Sequence, residues 1–167
     1  MTFISLPERL VKEARKKHID LEKELVEYLI RRLNLDPRDE IILHVELAEK
    51  YLSEGKNLVE KDTIQACEKL YKAAEEAVKA LTIHFDLRAI LERVRERGRW
   101  TITDLSKAVH EIANRIGEWF LDAWDHAWVL HVWGFHEAKL DSEDVKARYR
   151  AIERMVKEAR KYLRNAK

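Results

Sequence analysis

A single cysteine, Cys67, stands in a chain of 167 residues, and one thiol cannot close an internal disulfide. That usage suits a reducing cytoplasm. No apolar run approaches the ~20 residues that a bilayer-spanning helix needs, which excludes a helical membrane protein. The N-terminus lacks the basic-then-apolar pattern of a secretory signal. A soluble, cytoplasmic protein with no membrane partner is expected. Neither sign of charge dominates. The net charge is +1 although 38% of residues are charged, so the chain as a whole is neither a polyanion binder nor an acidic tail. Amides are scarce, with one glutamine and four asparagines, and abundant Lys, Arg and Glu beside few amides is the composition of a thermophile's protein. No stretch alternates with period two for long, which excludes a sheet beyond one short N-terminal strand.

What the chain has in abundance is helical periodicity, with two prolines and four glycines as punctuation. Residues 2–6, TFISL, read as a short strand. Pro7 opens a helix at its first position, where the missing N–H costs nothing, and Asp20 caps a second helix whose face is Leu21, Leu25, Tyr28, Leu29 and Leu33. Asn34 to Pro37 is the first clear break, so residues 1–35 form an N-terminal arm of a short strand plus two helices, and residues 36–167 a helical bundle domain. The arm resembles the ribbon-helix-helix fold of DNA-binding dimers, with a shorter strand and a tighter turn.

Asp36 and Pro37 restart the helix, which carries Ile41, Val45, Ala48, Leu52 and Leu58 and loosens at Gly55. Asp62 with Gln65 makes a capping pair for the most regular helix in the chain, with Ile64, Cys67, Tyr71, Ala74, Val78 and Leu81 as its stripe. Glu68 with Lys72 and Glu75 with Lys79 are i,i+4 pairs of the kind worth roughly 0.2–0.5 kcal/mol. Asp86 caps a short basic helix that Gly98 ends. From Thr101 or Thr103 the helical pattern runs to about Trp133 with a kink near Gly117, and Asp141 and Asp144 start the last helix. The fold class is therefore all-α, an up-and-down bundle with a small N-terminal helical arm.

Arg115 to Glu137 holds four of the five tryptophans and three of the seven histidines. Gly117, Phe120, Leu121, Trp124, Ala127, Trp128, His131 and Phe135 share one face, with Trp119 and Trp133 on the far side. A helix apolar almost all round is usually buried, so this one reads as the central helix, and its surplus apolar surface as a homodimer contact. His131 lies on the buried face. It is either a satisfied core histidine or a general acid–base residue in a pocket lined by Trp124, Trp128 and Glu68. His136 and Glu137 follow Gly134, where the helix loosens, and are the other catalytic candidates. His136 points by helical angle toward a polar strip with Glu118, Asp122 and Asp125. Glu118, Asp122 and His126 at i, i+4, i+8 have a spacing that holds a cation or merely faces water. No metal ligand set or cofactor motif is read from the chain.

Two segments, Tyr51 to Leu81 and the run from Trp124 to Glu137 (WDHAWVLHVWGFHE), resemble the crenarchaeal PaREP family of small helical proteins. The arm, with its LPERL and LNLDP, is similar to members of the same group. The resemblance implies a bundle related to the HEPN group (higher eukaryote and prokaryote nucleotide-binding), whose members commonly dimerise and in several branches bind or act on RNA or nucleotides. RNA-cleaving HEPN domains carry an Arg, four to six residues, then a His late in the bundle. Here that spacing occurs only early, at Arg38 and His44.

Basic residues cluster twice. Arg93, Arg95, Arg97 and Arg99 run into Trp100, and Lys146 to Lys167 carries a local +7 against −6 for the remainder. Either cluster can grip phosphates, with Trp100 or Tyr149 to stack a base, or can complement acidic neighbours and a helix C-terminus. Three functions remain open: a homodimeric HEPN-like bundle that associates with RNA or nucleotides, a DNA-binding regulator that uses the arm, and an enzyme with a Trp/His-lined small-molecule pocket.

Overall fold

The structure, a computed structural model, describes residues 2–165. It is all-helical. In chain order α1 is Glu8–Lys16, α2 Leu21–Leu33, α3 Pro37–Leu58, α4 Thr63–His84, α5 Arg88–Arg97, α6 Ile102–Ile116 and α7 Trp119–Val129. A π-helical segment, Leu130–His136, continues α7, and α8 is Ser142–Asn165. No helix among the described residues is long and apolar enough to cross a membrane. The chain divides into two compact units, Met1–Leu35 and Asp36–Lys167.

In the first unit the Asp20 carboxylate accepts from the Lys23 N–H, and Asn34 ends α2 in the left-handed region at φ 47°. Residues 2–6 form no strand, which corrects the expected ribbon. A lone extended segment has no ladder to satisfy its backbone groups. Ala14 is buried, whereas Leu10, Tyr28 and Leu33 are exposed.

In the second unit, α4 occupies the centre and packs against α3, α5, α6, α7, the π segment and α8. This overturns the reading of the Trp-rich stretch as central. The physical reason is side-chain size. Ala66, Ala73, Ala74, Ala77 and Ala80 are all buried and let neighbouring backbones approach α4 from every side. Two tryptophans of the later stretch instead reach the surface, with Trp128 40% and Trp133 48% exposed. Trp128 sits at the rim of the stripe that Phe120, Trp124 and Ala127 occupy.

Local chemistry sets the boundaries. Asp36 accepts from the N–H groups of Arg38 and Asp39 with Pro37 in the first turn, and Asp62 accepts from that of Gln65. Gly98 closes α5 at φ 77°, but Asp86 is not its cap. Leu87 holds that position, and the Asp86 carboxylate accepts from Arg88 Nε instead. Thr101 and Asp104 form a full capping box for α6. Asp141 and Asp144 exchange side-chain to backbone bonds at the start of α8. The expected kink at Gly117 is a true break, because φ 114°, ψ 153° cannot continue a helix and few residues other than glycine adopt it.

Gly55 does not loosen α3, which runs on to Leu58. It is instead the point of closest approach to α4. A Cβ there would lie 2.8 Å from Leu70 Cγ and 3.2 Å from the Leu70 backbone N. Leu70 is fully buried and has nowhere to move. Gly55→Ala should therefore cost about 1–3 kcal/mol by overpacking, and should cost less in a Leu70→Ala background than in the parent, because the two sites share one contact. Urea midpoints of the single and double variants measure this. A single variant as stable as the parent would refute the close approach.

Candidate functional site

One side of α4 carries Glu68, Tyr71, Glu75 and Lys79, three or four residues apart along a common strip, with Glu76 beside Glu75 and three residues before Lys79. At its inner end the strip is sealed. Lys79, 1% exposed, donates to Glu75 Oε1 at 2.9 Å and to Glu76 Oε1 at 2.8 Å. The second oxygen of Glu76 lies 2.6 Å from Nδ1 of His44, a buried residue of α3. His44 Nε2 has no hydrogen-bond partner among the described residues, and Glu40 Oε1 is 3.9 Å from it. The pair Glu75–Lys79 is thus a core element rather than a surface pair. Arg38, exposed in the first turn of α3, is not brought to His44. Their six-residue separation places them far apart around the helix.

At its outer end the strip opens. Glu68 Oε2 lies 3.1 Å from His131 Nδ1, and His131 Nε2 lies 3.1 Å from His136 Nε2. The Tyr71 ring stacks on His131 at 4.0 Å between centroids and 22° between planes, with Trp128 5.6 Å from His131 on another side. Burial, then the charges of Glu75 and Glu68, push the Tyr71 phenol above its ordinary pKa. His131 is half-buried, so it is neither the sealed core histidine nor a fully hydrated one.

The π segment makes this arrangement. At 3.6 residues per turn, residues five apart point roughly 140° away from one another. The wider turn, seen in the Glu137 N–H bond to Val132 O, brings positions 131 and 136 onto one side. His136 therefore pairs with His131 and does not join Glu118, Asp122 and Asp125 as its α-helical angle suggests. Gly134 lets the segment lie against α4, since a Cβ there would fall 2.3 Å from Cys67 Sγ. Burial pushes the Cys67 thiol up to about 11.

The remaining candidates are scattered. Glu68, Trp128 and His131 come together, but Trp124 is buried, 5.8 Å from Tyr71. Glu137 is exposed beside Lys139. Arg93 and Arg97 are held by the buried carboxylate of Asp104, whereas Arg95 and Arg99 are exposed and Trp100 packs partly against the core. In α8, Arg160 pairs with Glu49, Lys146 with Glu60, Lys157 with Glu153 and Lys161 with Glu158, so much of that positive charge is met within the chain. Trp119 donates its indole N–H to Ile116 O, and the Arg154 guanidinium lies 3.9 Å over its ring. Glu118, Asp122 and His126 are each exposed to solvent.

Sequence reasoning missed the His44–Glu76–Lys79 connection. Two signals pointed to it. His44 adjoins Val45 and shares a helical side with Ala48, and the Glu75–Lys79 pair is flanked by small apolar residues on both sides.

The sequence pattern of the archaeal PaREP1/PaREP8 family matches residues 43–156, from within α3 to within α8. A crystal structure of a protein from Sulfolobus solfataricus is similar at 39% identity and a TM-score of 0.64, covering 70% of this chain and 95% of that one. A solution structure of the same structural-genomics target is similar at 36% identity and a TM-score of 0.58, covering 77% and 94%. No curated protein matches.

The sealed cluster has a pH signature. Burial alone disfavours the His44 imidazolium, but the charge of Glu76, its hydrogen bond and the nearby Glu40 carboxylate outweigh it and raise its pKa above 6.5. Burial likewise opposes ionisation of Glu76, but Lys79 and His44 overcome it and lower its pKa from 4.5 to about 2. The His44 contribution to stability is then complete below pH 6.5 and lost as pH rises through its raised folded pKa. The Glu76 contribution is complete above pH 4.5 and lost as pH falls toward 2. Thermal midpoints should be highest between about pH 4.5 and 6.5 and decline on the alkaline side, and His44→Gln should remove that alkaline decline. A parent profile flat from pH 6 to 9 would count against the ion pair.

Proposed function

The chain belongs to the archaeal PaREP1/PaREP8 family, and from that premise we propose that it is a HEPN-like bundle that works as a homodimer and associates with RNA or nucleotides through the outer end of the α4 strip. The observation that carries this reading is the exposed ring of Trp128 beside the Glu68–His131–His136 chain. A base needs a flat apolar surface on which to stack, worth about 1–3 kcal/mol. Its edges and the ribose hydroxyls need neighbouring donors and acceptors, and imidazole supplies both. Arg95 and Arg99 add a salt-dependent attraction for phosphate.

The dimer rests on the arm. Phe3 is 96% and Leu33 63% exposed, with Leu10 and Tyr28 between them in sequence. A second copy offers the same stripe in return, which is the condition for a two-fold contact. The DNA-binding alternative needs residues 2–6, which form no strand within the chain, to pair with a second copy.

Trp128→Ala should weaken binding of a short single-stranded RNA by the stacking term of about 1–3 kcal/mol, roughly 5- to 150-fold. Charge reversal at Arg95 and Arg99 should flatten the dependence of affinity on salt. Fluorescence anisotropy at several salt concentrations reads both, and an unchanged affinity in Trp128→Ala would remove the stacking site. Light scattering should return twice 19.9 kDa for the full chain and a monomer after deletion of residues 1–35. A full chain that stays at 19.9 kDa ends the dimer reading.

A further inference from the structure

We propose that His131 and His136 form a binding site for a divalent transition-metal ion of the zinc class, with Glu68 behind His131 and the remaining coordination positions facing solvent. The geometry points there in three steps. First, the two Nε2 atoms face each other at 3.1 Å, with ring centroids 4.5 Å apart and planes at 80°. Two imidazole nitrogens on one tetrahedral ion, each about 2.0–2.1 Å from it, are themselves about 3.3 Å apart. The two nitrogens need to part by only a few tenths of an ångström, with the rings turning to aim both lone pairs at the ion.

Second, the pair is oriented from behind. His131 Nδ1–H donates to the Glu68 carboxylate at 3.1 Å, which fixes the tautomer and leaves the Nε2 lone pair pointing at His136. A carboxylate on the far nitrogen of a ligating imidazole is the usual support for such a ligand and raises its basicity. Tyr71, stacked on the His131 ring, holds the ring plane. His136 is exposed and gives the ion an entry path.

Third, the backbone is built for the pairing. A π segment is an uncommon departure from α-helix and frequently marks a functional position. Here it turns residues five apart toward one another, with Gly134 between them as the only way to fit the segment over Cys67. Without an ion the same atoms make one N–H···N bond, which requires His136 to carry its proton on Nε2. When an ion binds, His136 gives up its Nε2 proton to solvent and takes one on Nδ1, so that both neutral imidazoles present an Nε2 lone pair. Two imidazoles favour zinc, cobalt, nickel or copper over magnesium or calcium. With no third side chain available among the described residues, the outward positions take water or an anionic oxygen. This inference does not depend on RNA or nucleotide binding.

The test is calorimetric titration of zinc chloride alone into the full chain, free of nucleotide. Saturable binding of one ion per chain is expected, undisturbed by excess magnesium. His131→Ala and His136→Ala should each abolish it, and Glu68→Gln should weaken it about 10- to 100-fold. His136→Cys, which restores a zinc ligand without restoring an imidazole, should retain it, and circular dichroism should show each variant as helical as the parent. Binding that survives in both alanine variants, or a parent that takes up no zinc, overturns the site.

Discussion

Everything in the bundle depends on α4 being enclosed. From Ala73 to Ile83 this helix has no wet side on which to place charge, yet it carries Glu75, Glu76 and Lys79 there. Removing one ion from water costs several kcal/mol even after relaxation, so each of these groups needs a partner inside. Lys79 bridges the two carboxylates, and His44 from α3 takes the second oxygen of Glu76. Such a cluster adds little net stability compared with a well-packed apolar core, but it punishes any misalignment of α3 on α4. Gly55, pressed on Leu70, sets the distance between those helices, and the ion cluster sets their register.

The strip on α4 changes character along its length. Tyr71 divides it, its ring against His131 on the outer side and its phenol under the influence of the buried Glu75. Inward, the polar groups serve one another and have no access to solvent. Outward, Glu68 begins a chain of hydrogen bonds that ends on an exposed imidazole, His136. Polar groups of similar type are thus structural at one end and available for chemistry at the other, and burial alone separates the two roles.

The helices were largely legible in the sequence because they are long, periodic and bounded by residues with one local meaning. Asp20, Asp36, Asp62 and Thr101 all cap as their chemistry demands. What failed was anything that depends on a distant partner or a non-standard turn. Glu75 and Lys79 obey the i,i+4 rule for a solvated pair, and the partner that holds them inside, His44, lies 32 residues from Glu76. The Trp-rich stretch looked central because it is the most apolar, whereas the centre went to the helix with the smallest side chains. His136 was assigned to the wrong side because a 3.6-residue wheel cannot represent a π turn.

Cys67 acquires a further meaning from its contact with Gly134. The thiol is buried, its pKa is pushed to about 11, and the π segment lies directly over it. A thiol in that state does not react with an alkylating reagent until the segment lifts and water enters, since the reactive species is the thiolate. The alkylation rate of this one sulfur is therefore a clock for the opening of Leu130–His136, the motion that also parts His131 from Glu68. The chain carries its own reporter for the local stability of its most irregular backbone, at a position where no label has to be introduced.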